Sequence, residues 1–221
     1  MREIEGWMVP IPKGTITLRD DRKKASWTVQ IEPFLLSKYL VTQQLYGSVM
    51  QMFPSVFVGD SRPVETVSWY DAVQFCNALS QSSGLDSCYR VDLSSQTIEF
   101  IEGAKGYRLP TDAEWEYACR AGISAAQYGP IDDIAWYEEN SNATTQVVGL
   151  KAANEFGLFD MLGNVWEWCW DVYDPVVYGT YRVFRGGGWC DASRGCLASN
   201  RRRSHPTYKI DDLGFRVARS L

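Results

Sequence analysis

Six cysteines and a single histidine bound the chemistry open to this chain. Cys76, Cys88, Cys119, Cys169, Cys190 and Cys196 include no Cys-x-x-Cys pair, so a structural zinc site is not expected. Cys76 and Cys119 fall inside amphipathic helical patterns, where cysteine behaves as a small apolar core residue. The even count permits disulfides, but spacing does not give their connectivity. A non-haem iron site needs several histidines, or two and a carboxylate, and His205 stands alone. Nucleophilic triads fail on the same count, because only that one histidine could serve as base and nothing sets a serine hydroxyl against it. His205 is therefore expected in a surface binding loop. The turn Gly163-Asn164-Val165-Trp166-Glu167 offers a side-chain amide, carbonyls and a carboxylate, the oxygen donors that calcium takes. The alternative is that Asn164 caps the turn and Glu167 pairs with an arginine.

The other chemistry-bearing stretch is Arg182 to Leu221. Its ends are regular, Arg185-Gly-Gly-Gly-Trp189 at one and Leu213-Gly-Phe-Arg-Val at the other. Between them no hydrophobic period runs, yet Arg, Asp, Ser, His and Tyr are plentiful. A segment held at both ends and polar between them presents side chains, either as catalysts or as contacts.

The elements that position these residues are readable from start and stop signals. Ile4–Leu18 alternates as strand-turn-strand, interrupted at Pro10, Pro12 and Gly14, and Lys23–Ile31 reads as a further strand. Thr42 caps a helix to about Met52, and Ser68 opens another to about Ser80. Thr111-Asp-Ala-Glu114 is a capping box, with a helix to about Arg120 that stops at Gly122. Some forty residues after Gly122 carry little periodicity, and an ordered loop of that length usually needs a ligand or ion. Short strands are expected at Val165–Val172, Tyr181–Phe184 and Phe215–Ala218. Helices early and irregular β structure late make a single α+β domain over residues 1–221.

The net charge of −5 gives no electrostatic case for nucleic acid or an anionic membrane as partner. No apolar run reaches the roughly 20 residues of a membrane span. The N-terminal Met-Arg-Glu-Ile-Glu-Gly-Trp lacks the basic-then-apolar pattern of a signal peptide. A cytoplasmic location is favoured on that ground, with a secreted or surface location open if the chain is a truncated piece.

Five ordered motifs run through the chain: Phe34–Val41 leading into Thr42, Pro63-Val-Glu-Thr-Val-Ser-Trp-Tyr-Asp-Ala, Tyr107-Arg-Leu-Pro-Thr-Asp-Ala-Glu-Trp-Glu-Tyr-Ala, Gly157-Leu-Phe-Asp-Met-Leu-Gly-Asn-Val-Trp-Glu-Trp and Arg185-Gly-Gly-Gly-Trp. In this order they resemble the formylglycine-generating enzyme (sulfatase-modifying factor) family, which implies a C-type lectin-like fold. In that family the Asn-Val-Trp-Glu turn carries a structural calcium, which implies ligands from Gly163, Asn164, Val165 and Glu167. The family's enzymes hold copper on two cysteines five positions apart and oxidise a substrate cysteine. Aligned on Gly186-Gly187, Cys196 occupies the second position, but Asp191 takes the first and Cys190 is one residue early. A one-residue shift on an extended segment turns a side chain to the other face, and Cu(I) needs the paired thiolates. Neither copper nor iron is therefore expected.

The same C-terminal layout resembles the variable proteins of diversity-generating retroelements, in which template adenines are mutated so that AAC codons scatter into a limited set of residues. The resemblance implies a variable ligand-binding segment over 186–213, with slots at Cys190, Asp191, Ala192, Gly195, Arg202, Arg203, Ser204, His205, Tyr208, Ile210, Asp211 and Asp212. Every slot residue is reachable from AAC; Lys, Glu, Gln, Met and Trp are not, and none occupies a slot. The frame is Trp189, Ser193, Arg194, Cys196, Arg201, Pro206 and Leu213-Gly-Phe-Arg216, with Trp189 expected to fill the core and the slots to point outward. The implied function is non-enzymatic ligand binding, with a protein the more expected ligand than a small molecule. The rival readings are a copper-dependent formylglycine-generating oxidase and an undiversified accessory interaction domain.

Overall fold

The chain opens with a turn of helix, α1 (Arg2–Glu5), and four strands: β1 (Met8–Ile11), β2 (Gly14–Asp20), β3 (Ala25–Ile31) and β4 (Phe34–Ser37). Helices α2 (Gln43–Met50) and α3 (Trp69–Ser82) follow, then β5 (Tyr89–Asp92), β6 (Thr97–Phe100), β7 (Tyr107–Arg108) and α4 (Asp112–Arg120). After α4 come α5 (Ile131–Ile134), β8 (Ala135–Trp136), β9 (Leu162–Gly163), β10 (Trp166–Val172) and α6 (Pro175–Tyr178). The chain ends with β11 (Arg182–Arg185), β12 (Arg201–Ser204), β13 (Leu213–Gly214) and β14 (Ala218–Ser220). The structure, a computed structural model, describes residues 2–92 and 97–221.

The three longer helices begin where the sequence places a polar cap. The Thr42 hydroxyl accepts from the Leu45 amide at 3.2 Å. At α3 the Asp71 amide donates to Ser68 Oγ and Asp71 Oδ2 accepts from the Ser68 amide, at 3.1 and 2.8 Å. Thr111 and Glu114 make the same reciprocal pair at α4. Each bond satisfies an amide that the first helical turn leaves without an internal partner.

Two four-stranded sheets carry the architecture. In the first, ordered β1-β4-β14-β7, the C-terminal strand lies between β4 and β7 and ties the two ends of the chain together. The second is ordered β12-β11-β10-β13, with β10 and β13 parallel and the other pairs antiparallel. Trp69, Trp115, Trp166 and Trp168 are fully buried. A buried indole N–H needs an acceptor: Trp69 Nε1 donates to the Cys169 carbonyl at 2.9 Å and Trp168 Nε1 to that of Val67 at 3.0 Å. These bonds lock α3 and its approach to β10.

Two sequence expectations change here. The closing strand is divided into β13 and β14, and Phe215 to Val217 between them is fully buried. The Val217 and Phe215 carbonyls accept from the Ser37 and Val41 amides, so this stretch is pinned while its side chains fill the core. The long stretch beyond Gly122 is held by side-chain amides. Asn154 donates to the carbonyls of Ala118 and Cys119 and accepts from the amides of Phe156 and Leu158. Asn140 clamps its own turn in the same way, and Asn164 bonds both the amide and the carbonyl of Gln146, on the far side of the loop. Among the described residues, no helix is long and apolar enough to cross a membrane.

Candidate functional site

The polar C-terminal segment stands on a buried ionic base. Arg185 at the end of β11 is fully buried and bonds Asp112 at 2.5 Å and Glu116 at 3.0 Å, both on α4. Arg201, opening β12, shares the same Asp112 at 2.6 Å. Charged groups removed from water persist only when paired, so this cluster fixes where the segment leaves and re-enters the fold. Past Arg185 the backbone turns at Gly186 and Gly187, both at positive φ. A Cβ on Gly187 would lie 2.7 Å from Cys196 Sγ, so glycine there lets the loop close on the buried thiol.

The segment's residues divide by exposure. Cys190, Arg202, His205, Tyr208 and Ile210 are exposed, and Asp191, Ala192, Arg203, Ser204 and Asp211 are half-buried. Cys196, Pro206 and Leu213 to Arg216 are buried beneath them. Six positions depart from expectation, among them Ser193 and Arg201 of the frame, which are half-buried. Gly195 and Asp212 are buried: a Cβ on Gly195 would meet Asp191 Cβ at 2.6 Å, and Asp212 packs against Gly188. Arg194 is exposed although it was assigned to the frame. Trp189 is only half-buried, with its ring edge-on to Phe57 at 5.2 Å and its Nε1 donating to the Asp211 carbonyl, so it clips the loop from outside.

Arg201 to Ser204 form an edge strand that no apolar alternation announces. Its period of two sends successive arginines to opposite sides. Arg202 reaches Asp191 at 3.1 Å and lies 4.6 Å over the Trp166 ring. Arg201 and Arg203 lie over Tyr173, at 4.2 and 4.8 Å, and Arg203 also lies 3.9 Å over Tyr178. The tyrosines are not among the slots read from sequence; three of them within Tyr173–Tyr181 were the available signal. On the Arg202 side a hollow of about 570 Å³ is lined by Cys190, Asp191, Ala192, Arg194, Gly195, Arg201 and Arg202, together with Glu138 and Asn200, which sequence reasoning also missed.

Asp191 organises that hollow. Its Oδ2 accepts from Trp166 Nε1 at 2.6 Å and from the Gly188 amide at 3.0 Å, and its Oδ1 accepts from Arg202. The thiols beside it are poor candidates for thiolate chemistry. Burial, then Asp212, pushes the Cys190 thiol up to about 12, and it leans on Asp212 Oδ2 at 3.3 Å. Burial, then Asp191, pushes Cys196 to about 12 as well. Metal-binding and redox cysteines need the opposite, a cationic setting that lowers the pKa.

At the other turn, Glu167 and Arg216 form a fully buried pair, with Nε to Oε2 at 2.6 Å and Nη2 to Oε1 at 2.9 Å. Arg216 also donates to the carbonyls of Ser37, Phe159 and Asp160. Asn164 Oδ1 accepts from the Gln146 amide, and its Nδ2 donates to the Gln146 carbonyl. Both side chains of the implied set Gly163, Asn164, Val165 and Glu167 are thus engaged within the protein, and the positive charge is delivered by Arg216. This donor set, as arranged, does not fit a calcium ion.

Strands joining the two termini, a second sheet ending in a glycine turn, and a polar segment hung between two anchors define the C-type lectin-like architecture. The Sulfatase-modifying factor enzyme 1-like domain matches residues 2–221, and the chain belongs to this family. It is 35% identical over 229 residues to the Chaperone protein LppX of Paenibacillus barcinonensis, covering 87% of this chain and 82% of that one. It is 30% identical over 178 residues to the Inactive C-alpha-formylglycine-generating enzyme 2 of Mus musculus, covering 72% of this chain but only 49% of the relative. Among solved structures it is similar to Treponema denticola variable protein 1, with a TM-score of 0.89 and 32% identity over 97% of this chain and 95% of that one.

Proposed function

We propose that this chain is a non-enzymatic ligand-binding protein that displays variable residues on a C-type lectin-like frame, as the variable proteins of diversity-generating retroelements do, and that its ligand is a protein. The observation that carries the reading is the stratification of the C-terminal segment. Ten of the twelve slots are exposed or half-buried above Cys196, Pro206 and Leu213 to Arg216, all buried. Rigid aromatics with adaptable polar groups on a fixed support are what paratopes use. The full-length likeness to variable protein 1 supports the same reading.

Against the oxidase reading stand Asp191 where the copper thiolate would lie, and two thiols held protonated by burial and carboxylates. Two experiments test the proposal. The DNA beside the gene should hold a reverse transcriptase and a near-repeat of the segment encoding 186–213; their absence would remove the retroelement. Incubation of a sulfatase-type cysteine peptide with the protein and Cu(I) should yield no formylglycine. Product that vanishes in Cys196→Ser would establish the enzyme instead.

A further inference from the structure

The slot face holds one guanidinium that is ordered yet unspent. Arg203 is half-buried, and its side chain lies 3.9 Å over Tyr178 and 4.8 Å over Tyr173. Its Nε is buried without a partner, and among the described residues the side chain has neither a hydrogen bond nor an ion pair. The cations around it are committed: Arg201 to Asp112 at 2.6 Å, Arg22 to Asp174 at 2.7 Å, and Arg202 to Asp191 at 3.1 Å. Arg194 is also unpaired, but it is exposed and no ring braces it. The tyrosine wall continues outward, with Tyr181 stacked on Tyr178 and edge-on to His205, each at 6.0 Å.

We infer that Arg203, braced by Tyr173 and Tyr178, is the anchor for a carboxylate on the partner protein, and that these two tyrosines, which lie outside the slots, are part of the binding surface. This rests on the binding-face reading above. Stacking fixes the plane of the guanidinium, so little rotamer entropy is lost when a carboxylate takes its two-pronged edge. Arginine and tyrosine in a partly desolvated setting are the residues that dominate interface energies. The chemistry favours a single carboxylate over a phosphate chain. Among the described residues of this face Arg203 is the unpaired cation that rings brace, the cations beside it are neutralised, and the whole chain carries a net charge of −5, whereas polyanion binding needs a stripe of free cations.

The test selects a displayed library of random short peptides on the intact protein and keeps binders that lose affinity when Arg202→Ala, Arg203→Ala or Tyr208→Ala is introduced. The kept peptides should be enriched in Asp or Glu. Their affinity should fall by roughly tenfold or more in Arg203→Ala, substantially in Arg203→Lys, which keeps the charge but not the planar fork, and measurably in Tyr178→Ala. Each Arg203 variant should still melt in a single cooperative transition, which separates lost binding from lost folding. Peptides that depend on Arg202 or Tyr208 but ignore Arg203, or that carry no acidic residue, would overturn the inference and leave the binding face standing. A library yielding no peptide sensitive to any of the three would overturn both. Binding of inorganic phosphate or an oligonucleotide that requires Arg203, without acidic peptides, would replace the protein carboxylate with a phosphate ligand.

Discussion

Glu167 and Arg216 are both fully buried and each satisfies the other. Breaking such a pair from one side leaves an uncompensated buried charge, at a cost of about 3–5 kcal/mol. Glu167→Gln should lower stability by an amount in that range in a denaturant titration. The same occupancy predicts that Tm is equal in calcium and in chelator. A rise with calcium that is lost in Glu167→Gln would instead establish the ion that the family resemblance implies. Cys190 makes a second residue-scale prediction. With its thiol pushed up to about 12 by burial and Asp212, it stays protonated until far above neutral pH. It should react with iodoacetamide at pH 8 at least about a hundredfold more slowly than free cysteine, since only the thiolate attacks. Asp212→Asn should restore part of that reactivity. Alkylation at the rate of a free thiol would contradict the geometry.

At the scale of elements, β12 is the unusual piece: three arginines and a serine on a sheet edge, alternating between the Asp191 hollow and the tyrosine wall. Long charged side chains suit an edge strand that must not pair with another chain. Replacing Arg202, His205, Tyr208 and Ile210 together should cost little, within about ±0.5 kcal/mol at each position, as exposed sites usually do. Gly195→Tyr should behave differently, costing roughly 1–3 kcal/mol, because its Cβ would lie 2.6 Å from that of Asp191. Thermal melts of the two variants make the comparison; equal loss would mean that Gly195 is as free as the exposed slots. This contrast also marks what the sequence made legible. The caps at Thr42, Ser68 and Thr111 were readable because capping is local chemistry between residues three apart. The inward turn of Asp212 and the outward seat of Trp189 were not, since each depends on a neighbour distant in sequence, Gly188 for Asp212 and Phe57 for Trp189; Gly195 is closed off by Asp191 through a turn that no local signal marks. β12 escaped because its pairing with β11, not any apolar pattern of its own, makes it a strand.

At the scale of the whole molecule, the C-terminal segment rests on a tied support. The C-terminal strand lies between β4 and β7, the Arg185–Asp112–Glu116 cluster ties the glycine turn to α4, and asparagine clamps hold the loops without regular structure. The fold was legible because its motifs are long and ordered along nearly the full chain. The tyrosine wall was not, because Tyr173 and Tyr178 come next to Arg203 only through sheet pairing. On the proposed function, this support carries residues that change. The most direct test is deep sequencing of the gene's 3′ end across a population of the organism. Substitutions should be confined to the slot codons between Cys190 and Asp212 and should arise at adenines, with the codons for Cys196, Pro206 and Leu213 to Arg216 invariant. Slot codons as invariant as their neighbours, or substitutions scattered equally over slots and frame, would contradict it.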